Sequence, residues 1–123
     1  VDDNIVKKKN IQNGSCEKID KISNSIDFVF TWGVLIHIEP EKHKQSIEEI
    51  YRVSNKYILC VEYFSDKLEY VDYRDSDTLL VKRDFGSLYL DCFSDLEVID
   101  YGFTWKKFDN LDNSNWWIFK KKG

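Results

Sequence analysis

Two histidines, three cysteines and three arginines stand out in a chain whose other charged residues are lysines and carboxylates. His37 follows the apolar run Trp32-Gly33-Val34-Leu35-Ile36. An imidazole titrates near neutrality, so His37 suits general-base work, its plain alternative being packing or capping at the start of the next helix. Glu62 closes a second apolar run and is the second candidate base. His43 falls among charged helix positions and reads as solvated. Arg74 and Arg83 could pair with a carboxylate or phosphate, because a guanidinium presents a planar fork of donors. Tyr63, Tyr73 and Lys82 lie near them in sequence, and Arg83 beside Asp84 is equally explained as a surface pair. Other chemistries lack their residues. The histidines and cysteines have no metal-ligand spacing, and neither a Gly-x-Ser-x-Gly elbow nor a phosphate-binding Walker string occurs.

Hydrophobic spacing supplies the elements that must position these groups. Ile26-Asp27-Phe28-Val29-Phe30 reads as a strand buried on both faces, and the apolar run beyond it requires a turn near Gly33. Pro40 suits a first helical turn, and Ile47, Ile50, Tyr51 and Ser54 keep helical spacing, which predicts a helix over about 40–54. Glu41 in its first turn and Arg52 in its last complement the helix dipole. Lys56 to Tyr63 is a second buried strand. Strand, helix, strand with short links is a βαβ unit, so the two strands should run parallel. Thr31, Trp32, Gly33, Glu62 and Tyr63 then fall at one carboxyl edge, where open α/β sheets place their ligands.

Residues 65–83 are polar and read as a cleft-covering loop, or as a small hairpin of Tyr70–Tyr73 with Thr78–Val81. Asp84 is a good N-cap for a helix whose apolar face is Phe85, Leu88, Tyr89, Cys92 and Phe93. Ile99, Tyr101, Phe103 and Trp105 alternate with polar or small residues, and Trp116 to Phe119 follow a turn-rich segment, which predicts a terminal antiparallel hairpin. At the other end, Ile11 to Ser15 reads as a short strand running into a turn. Lys120-Lys121-Lys122 reads as a solvated tail.

The 123 residues fit one domain, 1–123. With 42% hydrophobic and 15% aromatic residues, disorder is disfavoured. Lys and Arg total 18 against 22 acids, a net charge of −4, so a general nucleic-acid backbone binder is disfavoured. No apolar run is long enough to span a bilayer as a helix, so no membrane partner is expected, and no cleavable signal is visible. An odd number of cysteines without paired spacing suits reduced thiols in a cytoplasm. The chain contains no methionine and opens in polar sequence, which leads to the expectation that it is a piece of a longer protein.

The string Ile26-Asp27-Phe28-Val29-Phe30-Thr31-Trp32-Gly33-Val34-Leu35-Ile36-His37-Ile38 resembles the fourth strand and following segment of class I S-adenosylmethionine-dependent methyltransferases. From Asp27 to Phe119 the chain is more specifically similar to pseudaminic acid biosynthesis-associated methylases. Tyr51-Arg52-Val53-Ser54, Glu62-Tyr63, Tyr73-Arg74, Lys82-Arg83-Asp84-Phe85, Leu90-Asp91 and Asp100-Tyr101-Gly102-Phe103 with Trp105 carry that likeness. The resemblance implies an α/β, Rossmann-like three-layer sheet of parallel strands ending in an antiparallel hairpin, with the N-terminal strands absent from this chain.

It further implies bacterial surface-glycan chemistry with S-adenosyl-L-methionine as cofactor and a small molecule or sugar as acceptor, an anionic sugar or sugar nucleotide being the kind that Arg74 and Arg83 would suit. Ser15 and Cys16 match the loop that contacts adenine, while Thr31, Trp32 and Gly33 would line the methionine end. His37 and Glu62 would be catalytic, and Tyr63, Tyr73, Arg74 and Arg83 would bind the acceptor. The family's glycine-rich cofactor turn has no counterpart among the five glycines. Without the first strand, Ile26–Phe30 would be an apolar edge open to self-association. The rival expectation is a non-catalytic binding or assembly module, or an inactive fragment.

Overall fold

The computed structural model describes residues 14–71, 78–109 and 111–122. It contains β1 (Ile26–Trp32), 3-10 turns at Leu35–His37 and Pro40–Lys42, α1 (His43–Val53) and β2 (Ser54–Glu62). There follow β3 (Glu69–Tyr70), β4 (Val81–Lys82), α2 (Phe85–Cys92), β5 (Leu96–Thr104), α3 (Lys106–Asp109) and β6 (Ser114–Lys121). Four strands form one sheet in the order β1-β2-β6-β5, and β3 pairs with β4 in a separate ribbon. β1 and β2 are parallel, with Phe28 opposite Tyr57 and Trp32 opposite Val61. β6 returns antiparallel to β2, and β5 lies antiparallel outside it, so the terminal hairpin enters the sheet by its last strand. The result is a mixed α/β fold with a mixed sheet.

Local chemistry accounts for the breaks. β1 stops because Gly33 takes φ 66, a left-handed conformation that costs glycine little. Pro40 opens the 3-10 turn that leads into α1, whose inward stripe is His43, Ser46, Ile47, Ile50 and Val53. α2 starts where the Asp84 carboxylate accepts from the Ser87 N–H at 2.9 Å. Tyr70 faces Val81, the register that a hairpin of Tyr70–Tyr73 with Thr78–Val81 gives, and Glu69 opposite Lys82 carries it one residue further out; residues 72–77 lie outside the described residues. The turn between β5 and β6 holds α3, an element that the sequence pattern had not suggested.

Strand pleating and register divide the sheet into two unlike faces. Val29, Thr31, Ile58, Cys60, Glu62, Trp117 and Phe119 share the face on which α1 and α2 pack. There Ile47, Ile50, Ile58, Cys60, Phe85, Tyr89 and Phe119 form the buried centre. Phe28, Phe30, Trp32, Leu59, Trp116 and Ile118 share the other face, on which no described helix lies. Phe28, Phe30 and Trp32 are 48, 57 and 51% exposed. Among the described residues Ile26–Phe30 is therefore buried on one face, not both, and β1 is an edge strand. Both long helices pack on the same side, so the described residues make two layers rather than three.

Two further expectations are corrected. His43 is buried, not solvated, because α1 turns that position towards the 3-10 turn and α2. Lys121 is not a free tail residue. Its ammonium donates to Asn24 Oδ1 at 2.8 Å, Tyr51 O at 2.8 Å and Ser54 O at 3.1 Å. It thus satisfies a late carbonyl of α1 and lies 4.0 Å from the Tyr51 ring centroid.

Candidate functional site

A cavity of about 400 Å³ opens at the carboxyl edge of β1 and β2. Its wall contains Trp32 and Gly33 from the end of β1, Ile36 and His37 from the first 3-10 turn, and Glu62 and Tyr63 from the end of β2. Leu111, Asp112 and Ser114, beside the β6 terminus, complete it. The volume falls within the usual range for small-ligand sites. The two strands end together because they are paired in parallel, with Trp32 opposite Val61 in the last pair and Glu62 ending β2 one residue on. A Cβ on Gly33 would meet nothing within 4 Å, so open space runs up to the backbone there.

The two base candidates differ in placement. His37 is exposed, and its Nδ1 lies 2.6 Å from the Leu79 carbonyl. A carbonyl only accepts, so Nδ1 carries the proton, and in the neutral ring Nε2 holds the lone pair. Glu62 is turned inward and only 1% exposed. Its carboxylate accepts from the Val34 N–H at 3.4 Å and the Ile36 N–H at 3.3 Å, holding the entry of the 3-10 turn. Burial pushes the Glu62 carboxyl above its ordinary range, while Thr31 and the turn's N–H groups pull the other way.

The remaining predicted residues are divided. Tyr63 donates to Asp112 Oδ2 at 2.9 Å and reaches the cavity. Thr31 is buried beneath it on the helix-covered face. Ser15 and Cys16 line a separate hollow of about 360 Å³ with Lys18, Ile19 and Lys21. Burial raises the Cys16 thiol, and Glu62 is near enough to raise it further. Arg83 lies against the buried His43, with its Nη1 3.2 Å from His43 Nδ1. Asp84 spends its carboxylate on the cap of α2 rather than on Arg83. Tyr73, Arg74 and Ile11 to Asn13 lie outside the described residues. Asp112 and the Leu79 carbonyl are site groups that the sequence did not single out. Only the polar, turn-rich character of 109–115 pointed towards Asp112, and a backbone carbonyl leaves no signal at all.

No family model and no curated protein matches the chain. Solved structures do. A SAM-dependent methyltransferase from Methanosarcina mazei matches with TM-score 0.66 and 13% identity, over 88% of this chain and 65% of that one. The 1,6-didemethyltoxoflavin-N1-methyltransferase of Burkholderia thailandensis, solved with 1,6-didemethyltoxoflavin and S-adenosylhomocysteine, matches with TM-score 0.68 and 13% identity. That match covers 88% of this chain and 48% of the enzyme. A SAM-dependent methyltransferase from Leishmania major matches with TM-score 0.64 and 16% identity, over 87% and 43% of the two chains. The fold is thus similar to part of the fold of these methyltransferases, and the chain spans from under half to about two-thirds of the length of these neighbours.

The residues present fit one end of S-adenosylmethionine. Trp32 offers a half-exposed aromatic face and Gly33 an unobstructed backbone, which together suit a sulfonium-bearing chain at the sheet edge.

Proposed function

We propose that the chain forms the acceptor side and methyl-donor rim of an S-adenosylmethionine-dependent methyltransferase. The acceptor is a small molecule or sugar, and the resemblance to pseudaminic acid-associated methylases favours bacterial surface-glycan chemistry. The observation that carries the reading is the convergence of Trp32, Gly33, His37, Glu62 and Tyr63 on one cavity where two parallel strands end. Free thiols at Cys16, Cys60 and Cys92 support a cytoplasmic setting.

The bound cofactor supplies an electrophilic methyl group, and in-line displacement needs alignment of donor and acceptor more than covalent help. Trp32 and Gly33 bound the donor. His37 takes the proton of an acceptor hydroxyl or amine at Nε2, while the Leu79 carbonyl fixes the ring through Nδ1–H. Glu62 acts first as a cap that holds Val34 and Ile36 in place, a positioning role its burial favours over direct proton transfer. Tyr63, steadied by Asp112, faces the acceptor, and Ser15 with Cys16 would meet the adenine. Tyr73, Arg74 and Arg83 remain the proposed acceptor contacts, and Arg83 would have to leave His43 to serve.

Titration calorimetry with S-adenosylhomocysteine tests this, on the chain alone and joined to any residues its gene encodes ahead of Val1. The expected result is saturable heat, weakened about tenfold (~1.4 kcal/mol) by Trp32→Ala. No heat from either polypeptide at about millimolar ligand would end the reading. A non-catalytic assembly module is the second reading, favoured by the open apolar edge of β1. It expects no heat, together with concentration-dependent self-association.

A further inference from the structure

His43 is a fully buried titratable side chain near the cleft, and nothing in the methyl-transfer reading uses it. Its relative exposure is 0%. Its Nε2 lies 2.8 Å from the Leu35 carbonyl, its Nδ1 lies 3.2 Å from Arg83 Nη1, and its ring stands edge-on to Phe85 at 5.0 Å between centroids. Both polar partners are one-sided. A carbonyl can only accept and a guanidinium can only donate. Nε2 must therefore carry the proton and Nδ1 the lone pair, which makes His43 a neutral imidazole of defined tautomer.

The partners belong to two walls. Leu35 opens the 3-10 turn that delivers Ile36 and His37 to the cavity, and its carbonyl also accepts from the Ile38 N–H at 3.1 Å. Arg83 directly follows β4, whose Val81 is fully buried, and directly precedes the Asp84 cap of α2. His37 makes a parallel tie to the same segment through Leu79. Each histidine therefore joins the first 3-10 turn to residues 79–83, one at the cavity and one beneath it.

We propose that His43 is a positioning residue and a proton-operated latch, joining the Leu35–His37 turn to Arg83 when neutral and releasing Arg83 when protonated. Imidazolium would set an Nδ1–H donor against the Arg83 donor and a second positive charge beside it, in a dry site. The charged groups facing it are Arg83, ahead of α2, and Glu41, on the second 3-10 turn; Leu35, Ile38 and Phe85 complete its surroundings. Burial, aided by Arg83, holds His43 below the ordinary histidine range, against Leu35, Ile38 and Glu41, which favour the charged form. The unfolded chain therefore binds the proton first. The latch's contribution is full above the ordinary histidine value and is lost as the pH falls below it. The released guanidinium would become free for an anionic acceptor, the part of the inference that rests on the methyl-transfer reading.

The experiment is ligand-free, so its failure leaves that reading intact. Long-range ¹H–¹⁵N spectra of the 123-residue chain follow both His43 nitrogens, while hydrogen exchange gives protection factors for Val81 and Lys82, from about pH 8 to about pH 5. Expected are an Nε2–H tautomer at the upper end, titration below the ordinary histidine range, and a loss of protection of about tenfold on protonation. In His43→Gln, whose amide can donate to Leu35 and accept from Arg83 without titrating, protection should not change with pH. An Nδ1–H tautomer, or an equal loss of protection in His43→Gln, would overturn the latch. Arg83→Gln is the second arm, for the case that His43→Gln does not fold. Removing the cation should move His43 titration upward, and an unchanged titration would also overturn the proposal.

Discussion

The two faces of the sheet are built from similar residues and do opposite things. Phe119 and Trp117 sit beside Ile118 and Trp116 on one strand, yet Phe119 is sealed under Tyr89 of α2 with ring centroids 5.1 Å apart. On the other side Trp116 and Ile118 border a hollow of about 290 Å³ with Trp32, Leu59 and Val61, and no described helix closes it. Alternation along a strand selects which side chains share a face, but only a second layer turns an apolar face into a core. Here the helix-covered face supplies stability, and no described helix covers the other.

Four substitutions can break or sharpen that contrast. Phe119→Ala removes a fully buried ring from the covered face and should cost about 3–5 kcal/mol, read as a large fall in the urea midpoint. Gly86→Ala follows. A Cβ there would lie 2.6 Å from Trp117 Cε2, wedged between α2 and the sheet, so about 1–3 kcal/mol is expected despite alanine's better helix propensity. Its counterpart on the open face is Gly102→Ala, whose Cβ would lie 2.7 Å from Trp116 Cζ2. There the indole has space to swing outward, and the cost should stay below about 1 kcal/mol. Equal losses at the two glycines would show that the open face is in fact covered. Phe30→Lys should change stability by no more than about 0.5 kcal/mol while shifting sedimentation towards monomer, as expected of a charge placed on an exposed sheet edge.

The site shows the same division. Trp32, Gly33, Glu62 and Tyr63 were legible as a group because strand ends follow from hydrophobic runs, and a short βαβ connection makes the strands parallel. His37 was legible as a base candidate, but the Leu79 carbonyl that sets its tautomer was not, since the two are 42 positions apart. Glu62 was legible as a candidate base at a strand end, but its contacts with the turn 26 to 28 residues away were not. His43 was misread for a related reason. Helical spacing placed it among Lys42, Lys44 and Glu41, but the side it presents is decided by α2 and Arg83, which arrive 40 residues later.

What the sequence alone determined is the order and type of the principal elements: the strands around Ile26–Trp32 and Ser54–Glu62, α1, the Asp84-capped α2 and the terminal hairpin. Those follow from local periodicity, capping and turn chemistry, which act over a few residues. Only the tertiary structure decided that β6 inserts beside β2, that both long helices settle on one face, and that buried His43 and Glu62 hold the cleft's turn from opposite sides. Those outcomes depend on which distant surfaces exclude water together, and no local pattern of residues specifies that pairing.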